Sequence, residues 1–183
     1  MYKILFIFLV IFFVMPEVKA QETPPTAAAI LKEAYAIAGK ENKKVLVMFH
    51  ASWCIWCRKM DSSLTDISCK KFFEDNFVVR HMVVFETPEK KGLENPGALE
   101  FLTKYKGEKM GLPFWLIFDN KGTLLADAKI PGTISEKNKE GESTGCPATI
   151  KEVDYFLEVL KKTTPVTKDE LEIIRKRFRK NDV

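Results

Sequence analysis

The stretch KVLVMFHASWCIWCRKM, residues 44–60, contains a short apolar run that is followed almost directly by two cysteines. The run from Lys44 to His50 is rich in valine, which predicts a buried strand of a parallel pair. A helix-like sequence follows the second cysteine. Cys54 and Cys57 are therefore predicted to lie between a strand and the start of a helix. Their spacing is compatible with electron exchange, metal binding or a structural disulfide.

A structural purpose or a metal site is disfavoured for this pair. A disulfide between Cys54 and Cys57 would close a very small loop, and cross-linking stabilises a fold more when the loop is long. Zinc usually takes four ligands, often two such cysteine pairs or one pair with histidines at short spacing. The chain has one such pair, and His50 and His81 lie in strand-like segments. Haem attachment would require a histidine in place of Arg58.

A redox role has a physical basis in the predicted start of a helix. The N-terminus of a helix carries about half a positive charge, and its first N–H groups lack partners within the helix. Both favour thiolate over thiol, and cysteines in such motifs have a pKa below the free value of about 8.5. We expect Cys54 to attack a substrate disulfide and Cys57, one turn further in, to resolve the mixed disulfide.

Periodicity and turn signals predict the other elements. Helices are predicted over 27–39, 58–64, 66–76, 98–105, 148–162 and 168–180, and strands over 44–50, 77–86, 114–118 and 124–129. The last two strands form a hairpin around Asp119–Gly122. Residues 131–147 are predicted to be a long loop. Ile67 and Ile150 are expected to face the core.

The order of these elements predicts an α/β fold. Two strands joined by a helix imply a right-handed parallel crossover, and the hairpin adds antiparallel strands at the edge. The result is a central mixed sheet flanked by helices, with an extra C-terminal helix. We expect one domain over residues 27–163, a helical extension over 164–183 and a proline-containing linker over 21–26.

Residues 1–20 have the pattern of a signal peptide. Lys3 precedes an uncharged apolar run from Ile4 to Met15, and Val18-Lys19-Ala20 provides an A-x-A-like end. We expect cleavage after Ala20 and export to the periplasm or another extracytoplasmic compartment. A retained membrane anchor is the alternative, although the run is shorter than the roughly 20 apolar residues that span a bilayer. The net charge of +4 is too small to indicate a nucleic-acid partner.

Two motifs together carry a resemblance to a known family. Residues 45–60 end in a strand–WCxWC–helix pattern, and GLPFWLIF at 111–118 places a proline before an apolar strand. The chain resembles the thioredoxin superfamily, and in particular exported bacterial thioredoxin-like proteins with a WCxWC active site. The resemblance covers most of residues 27–162. It implies a thioredoxin-like fold and a thiol–disulfide oxidoreductase that acts on protein thiols or disulfides.

The resemblance also implies roles for individual residues. Cys54 and Cys57 would be the catalytic pair. The Leu112–Pro113 bond would be cis, and Pro113 would face the cysteines. Leu112 would bind the substrate backbone by strand-like pairing, and Trp53 would flank the site.

The sequence departs from the family pattern at two places. Many thioredoxins carry a buried aspartate six residues before the first cysteine, where this chain has Met48. His50 and Glu86 are candidates to replace its proton-transfer role. Ile55 and Trp56 stand between the cysteines instead of Gly-Pro, which leaves the direction of electron transfer open.

The cysteines themselves would carry the electrons, so we expect no organic cofactor and no metal. A reductase outside the cytosol would need a membrane electron donor, and we expect a monomer. The alternative is a non-catalytic thioredoxin-like module that holds a partner or a soft metal such as Cu(I). Cys69 and Cys146 are either unrelated thiols or a second disulfide.

Overall fold

The computed structural model describes residues 23–136 and 138–182. The predicted signal peptide lies outside the described residues, as do the first two residues of the predicted linker. The helices are α1 (Ala27–Glu41), α2 (Ile55–Leu64), α3 (Lys70–Asn76), α4 (Ala98–Lys104), α5 (Ile150–Thr163) and α6 (Lys168–Arg179). The strands are β1 (Lys44–His50), β2 (Phe77–Val83), β3 (Phe114–Phe118), β4 (Leu124–Asp127), β5 (Lys129–Ile130) and β6 (Glu142–Ser143), and a short 3-10 helix spans Pro88–Leu93.

The main sheet has the predicted mixed topology. Its strand order is β2-β1-β3-β4. Strand β1 pairs parallel with β2 and antiparallel with β3, and β3 pairs antiparallel with β4. All five residues of β3 and the five central residues of β1 are buried, as expected for central strands covered on both faces. The predicted crossover and edge hairpin are confirmed.

The N-terminal helix begins where its sequence predicts. The hydroxyl oxygen of Thr26 accepts the backbone N–H of Ala29 at 3.1 Å, which is the N-cap hydrogen bond. The helix ends at Glu41, and the following residue, Asn42, adopts a left-handed conformation. Arg80 of β2 forms an ion pair with Glu33 of α1 at 2.9 Å. Helix α1 therefore lies against the sheet at β2.

The C-terminal helix packs against the common core. Phe178 of α6 is fully buried. Its ring centroid lies 5.0 Å from that of Phe156 on α5 and 6.1 Å from that of Phe73 on α3. Ile174 is buried on the same face of α6. This face supplies part of the apolar interior that covers one side of the sheet.

Two residues predicted to be internal are exposed. Ile67 is 95% exposed because α3 starts at Lys70: the carboxylate of Asp66 accepts the Ser68 N–H at 3.0 Å, and this local turn competes with a helix. Ile150 is 64% exposed because it is the first residue of α5, directly after the N-cap Thr149. The buried stripe of that helix starts at the following turn.

Two segments differ from the prediction. Strand β2 ends at Val83 rather than Glu86, and the positive φ of 57° at Phe85 turns the chain away from the sheet. The segment predicted as a long loop contains part of a second sheet, in which β5 pairs antiparallel with β6. Each of these strands has two residues, so neither has an alternating pattern that the sequence could reveal.

Candidate active site

The cysteine pair lies at the start of α2, as predicted. Cys54 and Cys57 form a disulfide with an S–S distance of 2.05 Å. Cys54 is the N-cap of the helix, and its Sγ accepts the backbone N–H of Cys57 at 3.0 Å. Both residues are buried. The sulfur of Cys54 is thus the acceptor that caps the N-terminus of α2.

Exposed apolar side chains surround this buried disulfide. Trp53 is 52% exposed and Trp56 is 45% exposed, and Ile55 is also exposed. The indole N–H of Trp53 donates to the carbonyl oxygen of Phe85 at 2.8 Å. The ammonium of Lys59 lies 4.4 Å from the centroid of the Trp56 ring. Apolar surface concentrated in this way is typical of an interaction site.

The loop before β3 reaches the cysteine pair. The Leu112–Pro113 bond is cis, which confirms the expectation from the resemblance. Leu112 packs against the small buried cluster that contains both cysteines. Pro113 is buried and directly precedes β3. A Cβ added to Gly145 would lie 3.7 Å from the carbonyl oxygen of Pro113, so the chain near Gly145 runs beside this loop.

Glu86 anchors the turn that precedes Cys54. It is buried, and its carboxylate accepts both the backbone N–H and the hydroxyl of Ser52, the latter at 2.8 Å. Arg58 donates to the carbonyl oxygen of Ser52 at 3.0 Å. Lys90 donates to the Ser52 hydroxyl at 3.3 Å. These bonds fix the backbone two residues before the disulfide, a contribution that the sequence did not reveal.

The two histidines lie next to each other. The ring centroids of His50 and His81 are 5.1 Å apart, and His81 Nε2 lies 2.7 Å from Asp61 Oδ1. Burial, with a smaller contribution from His81, lowers the pKa of His50. Met48, in the register position opposite His81, is fully buried. A thioether therefore occupies the place where many thioredoxins have a carboxylate.

The other two cysteines are free thiols, so the hypothesis of a second disulfide is wrong for this structure. The Cys69 thiol donates to the carbonyl oxygen of Ser63 at 3.1 Å. Cys146 Sγ accepts from the Asn181 amide at 3.3 Å. Burial raises the pKa of Cys146 to about 12. Burial, followed by the nearby Asp66 carboxylate, raises the pKa of Cys69.

A groove of about 360 Å³ adjoins the active-site disulfide. Its lining includes Trp56, Leu112, Thr144, Gly145, Cys146 and Asp182. The groove is thus lined by a residue between the cysteines, the residue before the cis proline, the segment around the start of α5 and the residues directly after α6. The last two segments could not be predicted from the sequence, because nothing in their composition indicates proximity to the cysteines.

The described residues bear on two further possibilities, a metal site and a membrane-spanning helix. Within residues 23–136 and 138–182, no group of three or more histidine, cysteine or acidic side chains is arranged to hold a metal ion. None of the helices in these ranges is both long and apolar enough to cross a membrane. The Cu(I)-binding alternative stays a hypothesis.

Comparisons with known proteins agree with this geometry. The family model described as a thioredoxin-like domain matches residues 31–140. The chain is similar to the disulfide bond reductase DsbH of Chlamydia pneumoniae, with 33% identity over 115 residues that cover 58% of this chain and 67% of the relative.

The chain also matches two solved structures at lower sequence identity. A disulphide isomerase from Xylella fastidiosa Temecula1 has a TM-score of 0.47 and 20% identity, covering 70% of this chain and 94% of that one. A structure described as DsbH oxidoreductase has a TM-score of 0.43 and 22% identity, covering 80% of this chain and 90% of that one.

Proposed function

We propose that this chain, a thiol–disulfide oxidoreductase that belongs to the thioredoxin-like domain family, uses Cys54 and Cys57 to reduce disulfides of exported proteins. The observation that carries the proposal is the disulfide at the N-terminus of α2, with its sulfur bonded to a helix N–H and exposed tryptophans beside it. A buried structural disulfide would not need an exposed apolar rim.

The chemistry follows from the position of the two sulfurs. In the reduced protein, the Cys54 thiolate attacks one sulfur of a substrate disulfide and expels the other as a thiolate, which takes up a proton. The mixed disulfide forms at Cys54. Cys57 loses its proton and attacks Cys54 Sγ, which restores the intramolecular disulfide and releases the second substrate thiol. Two electrons pass to the substrate. The N–H of Cys57 would stabilise the charge on Cys54.

The substrate would bind beside the cysteines as an extended segment. Leu112 contacts the cysteine cluster, so its backbone is well placed to pair with a substrate strand next to the scissile disulfide. Trp53 would form the adjacent surface, and Pro113 would shape it from beneath. Apolar contacts of this kind orient a polypeptide without requiring one sequence, which suits an enzyme with several protein substrates.

The reductive direction rests on the Chlamydia pneumoniae relative, which is named a disulfide bond reductase. Each turnover would leave Cys54 and Cys57 oxidised. A membrane electron donor would then have to reduce them outside the cytosol. We place the mature protein in the periplasm as a monomer, after removal of residues 1–20 at Ala20. The mass of the protein recovered from periplasmic extract tests this cleavage.

A trapping experiment tests the catalytic assignment. Cys57→Ser keeps the attacking sulfur and removes the resolving one, so mixed disulfides with substrate proteins should accumulate and disappear on treatment with dithiothreitol. Cys54→Ser is the matched control and should trap far less. If Cys57→Ser traps nothing while the Cys54 thiol of the folded protein still reacts with a small thiol reagent, these cysteines do not act as proposed.

A further inference from the structure

Asn181, near the C-terminus, is a buried residue with several polar contacts. Its side-chain amide donates to the Ser63 hydroxyl at 3.0 Å and the Pro147 carbonyl oxygen at 3.2 Å. The same nitrogen lies 3.3 Å from Cys146 Sγ. Its backbone carbonyl oxygen accepts from the Lys59 ammonium at 3.0 Å. One residue thus bonds to α2 and to the segment before α5.

Lys59 and Cys146, two of the residues that contact Asn181, lie at the two sides of the groove beside the disulfide. On one side, the Lys59 ammonium lies over the Trp56 ring, and Trp56 lies between the cysteines. On the other side, Cys146 follows Gly145, which approaches Pro113. The groove is lined by Trp56, Gly145 and Cys146, among others.

A second contact from α6 supports the same segment. The Arg179 guanidinium donates to the carbonyl oxygen of Ala148. The Arg177 guanidinium forms an ion pair with Asp66 at 2.6 Å, which ties α6 to the turn after α2. The end of α6 is therefore bonded to the turn after α2 and to the segment before α5. This helix lies outside the residues that match the thioredoxin-like family model.

We propose that Asn181 is a positioning residue that sets the separation of the two groove walls and thereby the binding of polypeptide substrates. The inference rests on the proposed function and adds to it a role for a helix outside the matched domain. Removal of the amide leaves the Pro147 carbonyl oxygen and the Ser63 hydroxyl short of a buried partner. The walls are then free to shift. The Cys54–Cys57 pair keeps its own hydrogen bond at the start of α2.

The test compares a polypeptide disulfide with a small one. Asn181→Ala should raise KM for reduction of insulin about tenfold and leave kcat within about twofold, because binding rather than chemistry is lost. Its rate with 5,5′-dithiobis(2-nitrobenzoate), which has no polypeptide segment for the groove to bind, should match the wild type. Arg175→Gln is the control: its ion pair with Asp154 joins α6 to α5 at the surface, so its KM should not change.

A second variant keeps the proposal testable if Asn181→Ala does not fold. Lys59→Met removes the ammonium that joins Asn181 to Trp56 and should also raise KM for insulin, with the small disulfide unaffected. An unchanged KM in either folded variant, or an equal loss with both substrates, would overturn the proposal. A wild-type protein that reduces neither substrate would instead count against the proposed function.

Discussion

Phe178→Ala measures how much the C-terminal helix contributes to the stability of the whole fold. Phe178 is 0% exposed and lies against the rings of Phe73 and Phe156. Truncation of a buried phenylalanine costs about 3–5 kcal/mol, from lost burial and the cavity left behind. For a domain of this size, each kcal/mol lowers Tm by about 2–4 °C, so the expected decrease is roughly 6–20 °C.

The assay is thermal unfolding of the oxidised protein, followed by circular dichroism and by tryptophan fluorescence. Ile173→Ala on the same helix is the matched control. Ile173 is 41% exposed, so its truncation should cost less than about 1 kcal/mol. Both variants remove apolar atoms from α6, but only one removes them from the interior.

Phe178→Ala should unfold in a single transition at a lower temperature than the wild type. A decrease in Tm of less than about 2 °C, where roughly 6–20 °C is expected, would show that α6 is not part of the common core. A separate transition at lower temperature, seen as a partial loss of helical circular dichroism without a change in tryptophan fluorescence, would also show that α6 is not part of the common core.

Three further predictions concern the other buried groups. Denaturation of the oxidised protein should expose two titratable thiols, those of Cys69 and Cys146. The native protein should react slowly with a thiol reagent, since both thiols are buried. If no thiol can be titrated after denaturation, the two cysteines are joined. Because the pKa of His50 is lowered in the folded protein, the unfolded state binds more protons as the pH falls below about 6.5, and stability should fall there. His50→Gln should reduce that loss in urea unfolding at pH 5 relative to pH 7.5, and an unchanged pH dependence would refute the assignment. Glu86→Ala should cost about 1–3 kcal/mol in urea unfolding because it leaves the Ser52 N–H without its buried acceptor; no measurable loss would contradict the anchoring role.

The sequence was informative where local chemistry decides the structure. The valine-rich run of β1 and the turn at Asp119–Gly122 predicted the mixed sheet, since burial and turn preference act over a few residues. The placement of Cys54 at a helix N-terminus followed from the change of periodicity after His50. The cis bond before Pro113 came only from the family resemblance, because cis bonds are a small minority of such bonds.

The remaining features depend on contacts between residues that are far apart in the chain. Asn181 contacts Cys146 across 35 residues and Ser63 across 118 residues, and no local pattern marks any of them as a partner. The sequence offers Glu86 only as a candidate proton acceptor, and its hydrogen bonds to Ser52, which make it an anchor of the turn, join residues 34 positions apart. Positive φ at Phe85 depends on the packing of the loop and is not encoded by a glycine.

The reduction potential of the Cys54–Cys57 couple decides whether this pair is a redox centre and in which direction it transfers electrons. The protein would be equilibrated in dithiothreitol buffers of defined potential, and the oxidised fraction read from tryptophan fluorescence, since Trp53 and Trp56 flank the disulfide. We expect a reversible two-electron couple that is closer to about −270 mV, as in thioredoxin, than to about −120 mV, as in the oxidant DsbA. A value near −120 mV would contradict the reductive direction, and the absence of any reversible couple would contradict the catalytic role of the pair.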